Sequence, residues 1–246
     1  MAAANDLTLI ACRTTHGVWI QASTAGALIG SPQQIVTSSN IVVGGPSVAL
    51  SFRHPSDSSD YNAYAMWVEA SAGTGQHVMV RRINCTTAGC AAVGNPAMLD
   101  QATPAQPCSH PRIATGPSGN FVFAWSQNFG NIDSMFVSDE AYGLTTFDPP
   151  GDAASTYTND PSSLTLGMGT LAGHDFALLN YLQNADSRAR VYQSLGIDGC
   201  YFDGPCTPQN YFWDAPQEGD TISAASSASV ERLKLQVDTT ATMGLV

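Results

Sequence analysis

Short apolar runs broken by Gly, Pro, Asn, Asp and Ser fill this chain from end to end. Four of them, LTLIAC, AYAMW, FVFAW and FALLNY, end on Cys12, Trp67, Trp125 and Tyr181, and the intervals between these residues are 55, 58 and 56. A further step of 56 reaches Val237 inside LKLQV. This period is too long for helical-hairpin repeats and suits one four-stranded propeller blade with its loops. β-Branched and aromatic residues fill the runs, turn residues separate them, and no stretch carries a 3.6-residue apolar stripe between helix caps. The pattern predicts an all-β fold, a β-propeller of four-stranded blades. The chain is read as a single domain over 1–246, with repeats over roughly 7–40, 46–105, 110–157, 161–217 and 220–246.

Within each repeat the order of elements is the same. The second repeat opens with Pro46-Ser-Val-Ala-Leu-Ser-Phe52, passes a Ser- and Asp-rich loop at 54–60, and runs through Trp67. A Gly turn at 73–75 then leads into His77–Ile83 and a cysteine-bounded turn. The third and fourth repeats open at Pro111 and Pro161 and follow the same plan. Recurrence assigns Trp67, Trp125 and Tyr181 to packing between blades rather than to ligand contact. Only six residues precede the first recurring strand and nine follow Val237. Both end blades are therefore expected to hold three strands. A five-bladed ring is the favoured reading, with an arc of a larger propeller that pairs with another chain as the alternative.

Composition narrows the function. Charged residues make up 12% of the chain, about half the usual share of about 25%. With 20 acidic residues against 9 basic ones and a net charge of −11, the chain is unsuited to nucleic acid or to an anionic membrane surface. No apolar run is long enough for a transmembrane helix. Met1 and the alanines after it read as the start of a mature domain without a signal peptide. Low charge with abundant Ser, Thr, Asn and Gly is the composition of an exported or cell-surface protein.

Cysteine spacing supports the same compartment. Cys85 and Cys90 enclose four residues, and Cys200 and Cys206 enclose five, each pair just after an expected strand. Two disulfide staples are the preferred reading, because zinc pairs usually enclose two residues and call for a matching second pair. Disulfides imply an oxidising compartment. Cys12 and Cys108 remain, either paired or with Cys12 as a buried thiol in the slot that the other repeats fill with an aromatic.

The segment Pro111-Arg-Ile-Ala…Pro-Ser-Gly-Asn-Phe-Val-Phe-Ala-Trp-Ser126 resembles a repeat of secreted bacterial β-propeller proteins of the sialidase-like, Asp-box type. In that family the third strand ends in a hairpin of pattern Ser-x-Asp-x-Gly-x-Thr-Trp. The matching turns here are degenerate. Ser138–Phe147 has two extra residues and Phe for Trp, and Ser23–Ala27 has Ala25 where Asp is expected. The resemblance implies a fold. For activity it would require an arginine cluster, a Tyr–Glu nucleophile pair and an Asp acid/base. Arg53 and Arg112 lie at opening strands, while Arg188 and Arg190 sit elsewhere in the blade plan. None of Glu69, Glu140, Glu218 and Glu231 has an evident Tyr partner.

Other chemistries find little support. Asp57, Asp60, Asp175, Asp186, Asp214 and Asp220 could flank a glycosidic bond, but turns attract Asp for local hydrogen bonding alone. There is no nucleophile elbow, and His16, His54, His77, His110 and His174 show no i, i+2 or i, i+4 pairing. No cofactor is expected. Calcium at Asp57-Ser-Ser-Asp60 would find hard oxygen ligands there, without the twelve-residue EF-hand pattern. Exposed aromatics beside carboxylates suit sugars, offering a flat apolar face and acceptors for hydroxyls. Tyr211, Trp213 and Asp214 form one such group, and Asp57, Asp60, Tyr61 and Tyr64 form another. The preferred reading is a binding module for a glycan or other cell-surface ligand, without catalysis. A sialidase-like glycoside hydrolase is the first alternative. A structural module that forms homo-oligomers through incomplete end blades is the second.

Overall fold

The computed structural model describes the backbone of residues 1–4, 6–37, 39–52, 60–73, 75–100, 107–116, 119–127, 131–137, 151–154, 163–171, 174–185, 188–198, 211–213, 217–223, 235–237 and 243–245. Every regular element among them is a β-strand, and all the pairings are antiparallel. The first sheet contains β1 (Ala2–Ala4), β2 (Leu7–Thr14), β3 (Gly17–Thr24) and β4 (Ala27–Thr37). The second contains β5 (Ile41–Phe52), β6 (Asp60–Ser71), β7 (Gly75–Thr86) and β8 (Gly89–Met98). The third contains β9 (Cys108–Thr115), β10 (Phe121–Gln127), β11 (Asn131–Val137) and β12 (Gly151–Ala154).

The fourth sheet has β13 (Ser163–Leu171), β14 (His174–Ala185) and β15 (Arg188–Asp198). Two pieces, β16 (Tyr211–Trp213) and β17 (Gln217–Ser223), both pair with β15. A two-stranded sheet of β18 (Leu235–Val237) and β19 (Met243–Leu245) follows.

The 55–58-residue spacing thus marks the second strand of each of the first four sheets. Each sheet is a simple meander, and sheets pack in chain order: β2 and β1 against β5, β5 against β9, β9 against β13, β13 against β18. Among the described residues no closed ring is seen. Two expected boundaries differ. The first sheet has four strands, because Ala2–Ala4 pairs with Leu7–Leu9; three alanines carry little β-propensity, so this strand is invisible as a pattern. The opening strand of the second sheet starts at Ile41 rather than Pro46. Its register against β6 slips between Val42 and Ser47, which makes room for a proline that cannot donate to the ladder.

Period-two alternation separates two cores on the faces of β6. Tyr61, Ala63, Ala65 and Trp67 face the first sheet, where they join Leu7, Leu9, Val18 and Ile20. Tyr64, Met66 and Val68 face the third sheet and meet Phe121, Phe123 and Trp125. Tyr181 and Leu179 of the fourth sheet pack with Ala124 and Ile132 of the third. Each recurring aromatic therefore points back at the sheet before it, and Trp67 and Trp125 are both 0% exposed.

Polar bridges cross the same seams. Arg81 on β7 donates to the carbonyls of Ile35 and Gly94, the first of these on β4. Arg112 on β9 donates through Nε to the Leu164 carbonyl of the fourth sheet. The Ile113 amide donates to Ser47 Oγ (3.0 Å) between the third and second sheets. Burial lowers the pKa of both guanidinium groups from the ordinary arginine value.

The Cys85–Cys90 disulfide forms as expected. The two residues stand opposite each other across the β7–β8 hairpin, with Cα atoms 4.0 Å apart. Cys200 and Cys206 lie outside the described residues. Cys12 does not pair with Cys108: its thiol is free and exposed on β2, while Cys108 is fully buried in the core between the second and third sheets. The expectation of a buried Cys12 is overturned because, among the described residues, no sheet covers its face.

Candidate functional site

Antiparallel meanders bring the β2–β3 turn, the β4–β5 link, the β6–β7 turn and the end of β8 to one edge of the first two sheets. A cluster of hydrogen-bonded polar side chains forms there. Trp67 and Glu69 are two apart on β6, so both side chains emerge on the face toward the first sheet. The Trp67 indole donates to Glu69 Oε1 (2.8 Å), and the Asn40 amide from the β4–β5 link donates to Glu69 Oε2 (3.1 Å). Glu69 is only 6% exposed. A buried carboxylate is tolerated when donors occupy its oxygens, and here both are engaged.

His77 stands directly opposite Glu69 across the β6–β7 ladder. Its Nδ1 bonds Asp100 Oδ1 (2.9 Å), and the Val78 amide donates to Asp100 Oδ2. The Asp100 side chain is completely buried. This carboxylate fixes the imidazole's orientation and directs Nε2 away from itself, the arrangement by which a carboxylate orients a histidine for proton transfer or ligand contact. Among the described residues no hydroxyl or thiol is hydrogen-bonded to His77. His16, in the β2–β3 turn, donates to the Asn40 carbonyl (3.3 Å) and ties that turn to the same edge. A second tie runs from the Val42 amide to the Thr15 carbonyl (2.9 Å).

The structure does not gather the residues expected to bind a ligand. Tyr61 and Tyr64 sit on opposite faces of β6 in two different cores, 7% and 6% exposed. Tyr64 meets Phe121 and Phe123 edge-on, with centroids 4.9 and 5.3 Å away. Its ring is committed to packing in the core between the second and third sheets, where too little of it is exposed for a sugar to stack on. Asp60 opens β6 opposite Thr86, and Asp57 lies outside the described residues. Tyr211 and Trp213 both lie on β16, opposite Asp198 and Gly196. Asp214 lies outside the described residues.

The arginines do not converge either. Arg82 places Nε and Nη2 on Asn62 Oδ1 (3.2 and 2.8 Å), Arg81 reaches toward the first sheet, and Arg112 reaches toward the fourth. Arg188 and Arg190 are placed on β15, and Arg53 lies outside the described residues. Of the glutamates, Glu69 is described in full, Glu218 opposes Tyr192 in the β15–β17 ladder, and Glu140 and Glu231 lie outside. Among the described residues no group of three or more His, Cys, Asp or Glu side chains could hold a metal ion. Among the described residues no helix is long and apolar enough to cross a membrane.

Sequence reasoning passed over Glu69, Asn40 and the His77–Asp100 pair as a set. One signal was available. The second residue after each recurring position is Thr14, Glu69, Gln127 and Gln183, always a side chain with an acceptor oxygen. Trp125 repeats the indole bond to Gln127 Oε1 at 3.5 Å.

No family model and no curated protein matches this sequence. Among solved structures, the fold is similar to the sialidase NanB from Streptococcus pneumoniae, crystallised with 2-[(3-chlorobenzyl)ammonio]ethanesulfonate. That alignment has a TM-score of 0.54 and 8% sequence identity, and covers 93% of this chain and 32% of the sialidase chain. The chain spans about a third of the length of the protein it matches. At that identity the likeness establishes a sialidase-like, β-propeller type of fold and nothing about residues or activity.

Proposed function

We propose that this chain is an extracellular β-propeller module, its five sheets acting as blades, that binds carbohydrate without cleaving it. The observation carrying this reading is the fold likeness over 93% of the chain to a protein named a sialidase. The absence of catalysis is supported by the arginines, since the described Arg81, Arg82 and Arg112 are engaged with carbonyl or amide oxygens on separate faces. An extracellular setting is supported by the Cys85–Cys90 disulfide, because such bonds persist in oxidising compartments. Tyr211, Trp213 and Asp214 are the ligand-contacting group in this reading. Asp57 and Asp60 are the second, with calcium as an accessory tested by chelation.

A glycan array combined with product analysis tests the proposal. Binding without product, weakened about tenfold or more by Trp213→Ala through loss of a stacking face, is the expected result. Released sugar would replace this reading with the hydrolase one. One feature favours that second reading: the seam holds two fixed carboxylates and an oriented imidazole. Glu69→Gln and Asp100→Asn would then abolish turnover.

A further inference from the structure

The opening strands of the second and third sheets are interrupted at the same place. In the second sheet Gly44 pairs with Val68 and Ser47 with Met66, so Gly45 and Pro46 together face the single residue Trp67. In the third sheet Ser109 pairs with Ser126 and Arg112 with Ala124, so His110 and Pro111 together face Trp125. Each is a β-bulge, which re-aims side chains out of the regular alternation of a strand. The two bulges abut, since a Cβ on Gly45 would lie 3.3 Å from Pro111 Cγ. Both turn through left-handed backbone, at φ +80° for Gly45 and +51° for His110. Glycine enters that region freely, whereas a residue with a Cβ does so at a cost. The second sheet makes the bend with glycine. The third makes the same bend and keeps an imidazole.

That imidazole has a partner which the bend supplies. Neighbouring residues of a regular strand point to opposite faces, so Ser109 and His110 would diverge on one. Across the bulge, Ser109 Oγ and His110 Nδ1 share a hydrogen bond of 2.8 Å. In the tautomer protonated at Nε2 the hydroxyl donates and Nδ1 accepts. A hydroxyl within about 2.6–3.2 Å of a basic nitrogen is the arrangement that activates a serine for nucleophilic attack. Both residues are half-buried, neither sealed in the core nor fully solvated.

We infer that Ser109 is a nucleophile with His110 as its base, and that the pair transfers acyl groups from carboxylic esters. The Ser109 oxygen attacks the ester carbonyl carbon as its proton passes to His110 Nδ1. The C–O bond to the alcohol breaks, and the alcohol leaves with the proton that His110 returns. Water then attacks the acyl group on Ser109, giving a proton to His110, which hands it back to the serine oxygen as the carboxylic acid departs. The bulge orients the base, a task that often falls to a third side chain. No glycosidic bond is touched, so this inference is independent of the carbohydrate reading.

The test uses the whole chain and two probes, an alkyl fluorophosphonate and p-nitrophenyl acetate. The fluorophosphonate should modify Ser109, the Oγ–P bond forming as fluoride leaves with the hydroxyl proton, and mass spectra should place the label on that peptide. Ser109→Ala should abolish the label and most of the nitrophenolate release. His110→Gly should slow labelling of Ser109 about a hundredfold or more, a usual contribution of a base. Its Tm should stay within a few degrees, because glycine adopts the left-handed backbone without strain. Free imidazole should restore part of the lost rate in that variant, which a histidine that only shapes the strand would not permit. His110→Asn, a side chain tolerant of the left-handed region, should slow labelling similarly and decides the matter if His110→Gly fails to fold. Three results would overturn the inference. The first is wild-type protein unlabelled at Ser109. The second is labelling of Ser109 that both His110 variants leave unchanged. The third is a His110→Gly variant that labels slowly, melts much earlier and gains nothing from imidazole, meaning that the histidine holds the bulge and not the hydroxyl proton.

Discussion

Trp67 and Trp125 hold the same place in successive sheets, fully buried, each with an acceptor two residues further along. Their surroundings differ in one respect. The second sheet supplies a carboxylate at 2.8 Å, and the third an amide oxygen at 3.5 Å. Around the carboxylate gather Asn40, His77 and, through His77, Asp100. The amide makes a long, weak bond. The repeat thus specifies an indole and an acceptor for its N–H, and local chemistry enters through the choice of acceptor.

The largest expected effect tests what the two sites share. Trp67→Ala and Trp125→Ala should each destabilise by about 3–5 kcal/mol, the cost of emptying a packed aromatic site. Denaturant unfolding would show whether the two values agree. A marked inequality would mean that the two seams are not equivalent. Next comes a change specific to the second sheet. Gly45 has φ +80°, and a Cβ there would lie 3.0 Å from both the Met66 carbonyl oxygen and Trp67 Cα. Gly45→Ala should cost about 2–4 kcal/mol, from the left-handed backbone and the clash with backbone atoms beneath Trp67.

The difference between the acceptors should appear at a smaller scale. Glu69→Ala leaves two donors without their carboxylate and should cost about 1–3 kcal/mol, against less than about 1 kcal/mol for Gln127→Ala. Equal losses would show that the charge adds nothing. Glu69→Gln should fall below Glu69→Ala, at about 0.5–1.5 kcal/mol. The amide keeps an oxygen for the indole but turns a donor toward Asn40 unless that side chain rotates.

What could be read in advance follows from the physics of each feature. Trp67, Trp125 and Tyr181 were legible as core because burial repeats with the fold. The Cys85–Cys90 hairpin was legible because the spacing matches a cross-strand pair. Glu69 was not, since a polar residue near a strand end looks like a solvated one until the Asn40 link folds over it. Tyr61 and Tyr64 looked exposed from their place beside a Ser- and Asp-rich loop, whereas tertiary packing buries both. Arg112 looked like a member of an arginine cluster at the opening strands, but its partner is the carbonyl of Leu164, fifty-two positions away, and no local pattern encodes that.

The backward-facing aromatics also give the molecule a direction in time. A chain leaving the ribosome extends by roughly 5–20 residues each second, so sheets recurring every 56 residues become available roughly 3–11 s apart. Because Trp67 seats on the first sheet, Trp125 on the second and Tyr181 on the third, each newcomer finds its socket already assembled. No sheet has to wait with its largest side chain bare for a partner not yet made. Growth can therefore proceed one sheet at a time in chain order.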